Sequence, residues 1–134
     1  MVGLSNQALK ELAQYRATIV QPGEIFWVPK ELARYRKSTK PERPWLVVAV
    51  DAAQAHLVPG TSRRARAPRL VVKAGETDLP EPTQFDFSMS VAVNLIALAE
   101  QARTAAELPA ARWPEVIARV DRSNLVAVKR LVPR

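Results

Sequence analysis

A small antiparallel, partly closed β barrel with helices at both ends of the chain, an α+β and mainly β class, is what this sequence predicts. Three observations carry that expectation. Short apolar runs and one clean alternation recur through the middle of the chain with no regular helix between them, which excludes a parallel α/β sheet. Prolines and glycines punctuate those runs at intervals that suit hairpins. Helical patterns are confined to the two ends, apart from a turn or two within one connection.

Each element has its own signal. Ser5 to about Ala17 reads as a helix capped by Ser5 or Asn6, with Leu4, Ala8, Leu9, Leu12 and Ile19 near one face. Gln21-Pro22-Gly23-Glu24 breaks it, and Ile25-Phe26-Trp27-Val28 is a first strand stopped by Pro29. Glu31 to Lys37 offers one or two helical turns. A basic, proline-bounded lead-in, Lys40 to Pro44, opens the second strand, Trp45 to Val50. Asp51 to Gln54 turns the chain, and Ala55 to Pro59 is a third strand ending in Gly60-Thr61-Ser62. Arg63 to Pro68 is a basic loop, Pro68 to Lys73 a fourth strand, and Leu79 to Pro82 irregular. Thr83 to Val93 alternates, with Phe85, Phe87, Met89, Val91 and Val93 on one side. Asn94 caps a helix expected to reach about Ala106, Glu107 to Arg112 connects, and a last helix starts at Trp113-Pro114 and runs to Leu131. A single domain over 1–134 is expected, with 1–20 a helical extension on the barrel of 21–134.

Composition narrows the chemistry. Of 134 residues, Lys and Arg make 20 against 13 Asp and Glu, a net charge of +7. That balance favours a polyanionic partner, most often nucleic acid. Without cysteine there are no disulfides, thiolate nucleophiles or cysteine-held metals, and the single histidine, His56, excludes histidine metal clusters. No metal or other cofactor is expected. No apolar run approaches the ~20 residues of a membrane span, and no signal-peptide pattern opens the chain, so a cytoplasmic protein away from membranes is expected.

The candidate site follows from the second and third strands. If they pair antiparallel, Arg43 at the start of one and Thr61 at the end of the other share a rim. Arginine offers phosphate a planar fork that stays charged at neutral pH, and Thr61 or Ser62 adds a hydroxyl. Arg63, Arg64, Arg66 and Arg69 form the densest positive run, suited to backbone phosphates, and Lys40 adds to it. His56 is the one side chain with an unperturbed pKa near neutrality. Asp86 and Ser88 lie on the polar side of the alternation. Each has a plainer reading: Arg43 as a strand-end surface arginine, Thr61-Ser62 as turn chemistry, His56 as structural, Asp86 as a solvated strand face. Trp27, Trp45, Phe85 and Phe87 read as core or as contact in a homodimer, since the strands are apolar on more faces than one small barrel can cover.

The order Pro22-Gly23-Glu24-Ile25-Phe26-Trp27-Val28, then Arg43-Pro44 before Leu46-Val47-Val48, then Val58-Pro59-Gly60-Thr61-Ser62, resembles the MazF/PemK/Kid toxins of type II toxin–antitoxin pairs. The resemblance covers roughly Pro22 to Leu131, so the first helix lies outside it. It implies an SH3-like barrel, usually a homodimer. It also implies sequence-selective, metal-independent cleavage of single-stranded RNA such as mRNA, and inhibition by a cognate antitoxin protein. It places the family's arginine on Arg43 and its threonine on Thr61 or Ser62. The sequence departs from the family where Glu31 to Lys40 is basic and helix-like, where His56 misses the family histidine, and where Asp86 matches its acid only loosely. Two other readings stay open: a non-catalytic barrel of the same fold that binds a protein, as the gyrase-poisoning CcdB toxins do, or a general nucleic-acid binder.

Overall fold

A computed structural model of the protein describes residues 5–35 and 40–134. The expected positions of Leu4, Arg36 and Lys37 lie outside the described residues. Elements run α1 (Asn6–Thr18), β1 (Glu24–Pro29), α2 (Lys30–Ala33), β2 (Glu42–Val50), β3 (Gln54–Thr61), β4 (Arg69–Val72), β5 (Thr83–Asp86), β6 (Val91–Asn94), α3 (Leu95–Gln101), β7 (Arg103–Glu107), α4 (Trp113–Arg122) and α5 (Val126–Leu131). The strands form one curled antiparallel sheet in the order β4-β5-β3-β2-β1-β7, with β6 also paired to β3. This is the expected half-closed barrel with helices at both ends.

Alternation in β1, β2 and β3 sends apolar side chains to both faces of the sheet. Ile25, Leu46, Val48 and Val58 join Phe85, Phe87, Val116, Val120 and Val128 in the core under α4 and α5. Phe26, Val28, Trp45, Val47 and Leu57 join Val93, Leu98 and Ala102 in a second core under α3. Trp45, Phe85 and Phe87 are wholly buried inside the chain. The apolar faces that suggested a dimer contact are therefore covered by the chain's own helices, and only Trp27 of the four aromatics is partly exposed.

Three boundaries differ from expectation. The alternating stretch from Thr83 to Val93 is two strands, because the Asp86 carboxylate accepts the Ser88 N–H (2.8 Å) and turns the chain. The burial parity survives the break: Phe85 and Phe87 are buried, Met89 and Val91 half-buried, Val93 buried. Helix α3 stops at Gln101 instead of reaching Ala106, because Arg103–Glu107 adds to β1 as a strand. The last helix is two. The Ser123 hydroxyl donates to Val120 O (2.6 Å) and its oxygen accepts the Leu125 N–H (3.2 Å), opening the gap between α4 and α5.

Candidate functional site

The β2–β3 hairpin builds the site. Its register pairs Trp45 with Pro59, Leu46 with Val58 and Val47 with Leu57. Continuing that register two residues outward sets Pro44 beside Gly60 and Arg43 opposite Thr61. Opposed residues of an antiparallel pair share a face, so these two side chains converge on one rim. They line a cleft of about 340 Å³ together with Trp27, Lys40, Ser62 and Arg63. Arg43, Thr61, Ser62, Arg63 and Lys40 are thus brought together in one cleft.

Arg43 is held from one side. Its guanidinium carbon lies 4.4 Å from the centroid of Tyr35, whose ring meets Trp45 edge-on at 5.6 Å. A cation over an aromatic face gains about 0.5–2 kcal/mol, rising as the pair is desolvated. Tyr35 follows Arg34, a residue in the left-handed region with φ 53° that ends α2. Nothing in the sequence pattern marked Tyr35 as a site residue, because α2 brings it beside β2 from a separate segment.

Thr61 has a turn role as well. Its hydroxyl oxygen accepts the Arg63 N–H at 3.1 Å, which leaves its own proton to donate. Beyond it, Ala65 is buried and its N–H is fixed by Gln84 Oε1 at 3.0 Å. That anchor turns Arg63, Arg64 and Arg66 outward, and all three are exposed. They line a second hollow of about 280 Å³ with Tyr35, Arg43 and Asp86. Asp86 is thus near the basic loop, although its carboxylate is engaged by Ser88. The two hollows share Arg43, Gly60, Thr61 and Arg63.

His56 is not part of this arrangement. It lies five residues from Thr61 on β3, about 16 Å along an extended strand. It is buried at the hairpin end, where its Nε2 is 3.0 Å from Asp51 Oδ2. That contact, with the Ala53 and Gln54 N–H groups, holds the Asp51 carboxyl below its ordinary value. The structure sets His56 apart from the cleft, where it clamps the β2–β3 turn through Asp51.

Sequence reasoning also missed the two carboxylates of the first cleft, Glu42 and Glu81. Glu42 forms an ion pair with Arg103, whose guanidinium sits 5.2 Å from the Trp27 centroid. Glu81 arrives from the segment between β4 and β5, a non-local approach that no local motif announces. Among the described residues no three His, Asp or Glu side chains gather as metal ligands, and no helix is long and apolar enough to cross a membrane.

No protein-family model matches the chain, and no curated protein matches it in sequence. Solved structures do resemble it. The Mycobacterium tuberculosis toxin MazF-mt6 is 15% identical with a TM-score of 0.57, over 83% of this chain and 98% of that one. A chain of the MazE–MazF (Form-II) crystal structure from Deinococcus radiodurans is 18% identical with a TM-score of 0.56, over 77% of this chain and 92% of that one. The curled sheet flanked by these helices is the MazF-type toxin fold.

Proposed function

We propose that the protein is the toxin of a type II toxin–antitoxin pair and cleaves single-stranded RNA at the Arg43–Thr61 rim without a metal ion. The observation that carries the reading is the convergence of Arg43 and Thr61 in one cleft of a MazF-type fold. In such a reaction the ribose 2′-hydroxyl attacks the adjacent phosphorus and the bond to the 5′-oxygen breaks. Charge builds on the phosphoryl oxygens, and a guanidinium already fixed against Tyr35 meets it with little reorganisation. The Thr61 hydroxyl, anchored by Arg63 N–H, donates to a phosphate oxygen. Arg63, Arg64 and Arg66 grip neighbouring phosphates.

The partner this reading implies is a cognate antitoxin, supported by the likeness to a chain of a MazE–MazF complex. A homodimer rests on the same likeness and no longer on Trp45, Phe85 and Phe87, which the chain buries itself.

The test is cleavage of a long RNA in EDTA by the wild type, Arg43→Ala and Thr61→Ala. Loss of one charge-stabilising donor is expected to slow turnover ~100-fold or more. Arg43→Lys keeps the charge but loses the fork, and is expected to remain strongly impaired. Cleavage that needs added Mg²⁺, or an Arg43→Ala variant as fast as wild type, overturns the mechanism. One observation favours a second reading, a non-catalytic binder on the same fold: His56, the side chain suited to proton transfer near neutrality, is remote from the cleft. RNA bound but never cut by the wild type would establish it.

A further inference from the structure

The two hollows that meet at Arg43, Thr61 and Arg63 differ in what lies beyond those shared residues. One is walled by Arg63, Arg64 and Arg66 against the single carboxylate of Asp86. A phosphate fits there. Beyond the shared residues and Lys40, the other is lined by Glu42 and Glu81 with Trp27, Leu79 and Pro44. The scissile phosphate belongs to the Arg43–Thr61 side of this cleft; beside the carboxylates a flat neutral group rich in N–H donors is better suited than a second phosphate.

Within that first cleft the two carboxylates differ in availability. Glu42 is ion-paired with Arg103. Glu81 is exposed, and its carboxylate has no hydrogen bond or ion pair with a described residue. Its backbone is nonetheless fixed. Pro80 and Pro82 bracket it, Leu79 is buried beside it, and its carbonyl accepts the Thr83 hydroxyl at 3.1 Å. A rigid segment thus presents an open acceptor pair to the cleft.

We infer that this hollow reads a nucleobase, and that Glu81 selects guanine in the nucleotide next to the phosphate held at Arg43 and Thr61. The inference rests on the RNA reading above. A carboxylate only accepts hydrogen bonds. Guanine offers two adjacent donors on its Watson–Crick edge, N1–H and the N2 amino group, and one carboxylate takes both. Adenine and cytosine set an acceptor nitrogen beside their amino group. Uracil has one N–H between two carbonyls. Each of those bases turns a lone pair toward a carboxylate oxygen. Single-stranded RNA exposes these edges for such readout. Glutamine at position 81 would exchange one acceptor for a donor, which matches adenine and cytosine instead.

Two measurements test this. Cut sites of the wild type and Glu81→Gln are mapped in a long RNA of mixed sequence. Guanine is expected at a fixed position beside wild-type cuts, and in Glu81→Gln the ratio of guanine to adenine or cytosine there is expected to fall at least ~5-fold. Separately, single-stranded RNA hexamers carrying guanosine or inosine, which lacks the N2 amino group, are titrated onto Thr61→Ala and onto the Thr61→Ala, Glu81→Gln double variant. Guanosine is expected to bind at least ~5-fold tighter to the first and equally to the second. No guanine enrichment at wild-type cuts, an unchanged preference in Glu81→Gln, or equal binding of both hexamers to Thr61→Ala overturns the inference. If the wild type cuts no RNA, the endoribonuclease reading fails and the hexamers alone decide the subsite.

Discussion

A Cβ at Gly60 would lie 2.8 Å from Thr83 Cγ2, 2.9 Å from Phe85 Cε1 and 3.1 Å from the Pro44 carbonyl oxygen. Strand β5 crosses β3 here, pairing Gly60 with Phe85 and Thr61 with Gln84, and only a bare backbone admits it. Because Phe85 is wholly buried, it cannot swing into solvent to make room. Gly60→Ala is therefore expected to lower stability by about 1–3 kcal/mol, read as a lower midpoint in urea unfolding. It is also expected to reduce RNA cleavage, since it displaces Thr61 one residue on. The residue scale shows what a sequence can disclose. Arg43 and Thr61 were legible because one hairpin register joins them. Tyr35 and Glu81 were not, because each reaches the cleft from a separate segment whose approach no local pattern encodes. His56 carried the right chemistry at the wrong end of its strand.

Among the elements, α3 depends on its ends. It has seven residues, too few to hold by propensity alone. The Asn94 carboxamide oxygen accepts the Ile96 and Ala97 N–H groups at 3.0 and 3.1 Å. Leu98, fully buried, then pins the helix to the second core. Asn94→Ala is expected to cost about 1 kcal/mol, with a matching drop in thermal midpoint. An unchanged midpoint would mean that packing of Leu98 and Ala99 alone fixes the helix. The N-terminal cap of α3 was legible in sequence and its C-terminus was not. Arg103–Glu107 could extend a helix by propensity, but pairing with Glu24–Trp27 satisfies the open edge of β1. Similarly, the side chains of Asp86 and Ser123 offer the backbone local partners, and each ends an element that periodicity alone would continue.

For the molecule as a whole, charge sets both stability and binding. Asp51 is held below its ordinary value of 3.8 by His56 and two backbone N–H groups. Glu76 lies below 4.5 through Arg112 and the Lys73 N–H, and Asp121 below 3.8 through Arg134. Groups depressed in the folded state stabilise it above their unfolded values, and that stability is lost as pH falls through the folded ones. Glu24, raised above 4.5 chiefly by burial, acts oppositely and weakens the fold as pH rises past 4.5. Three against one, melting temperature is expected to fall as pH drops below about 4, and Asp51→Asn is expected to flatten that fall. The net charge of +7 governs the second behaviour. Its densest cluster is the loop whose backbone Gln84 holds at Ala65, with Arg63, Arg64 and Arg66 exposed to solvent. If each neutralises one phosphate of a single strand, each contributes about −0.7 to the slope of log K against log salt. Affinity of Thr61→Ala for a long single-stranded RNA is therefore expected to fall about tenfold or more from low to moderate salt. Replacing all three arginines by glutamine is expected to flatten the slope by about 2. Glu81→Gln, which removes none of the phosphate-neutralising arginines, should leave the slope as it is. A slope unmoved by the triple replacement would put the RNA backbone on another face of the barrel.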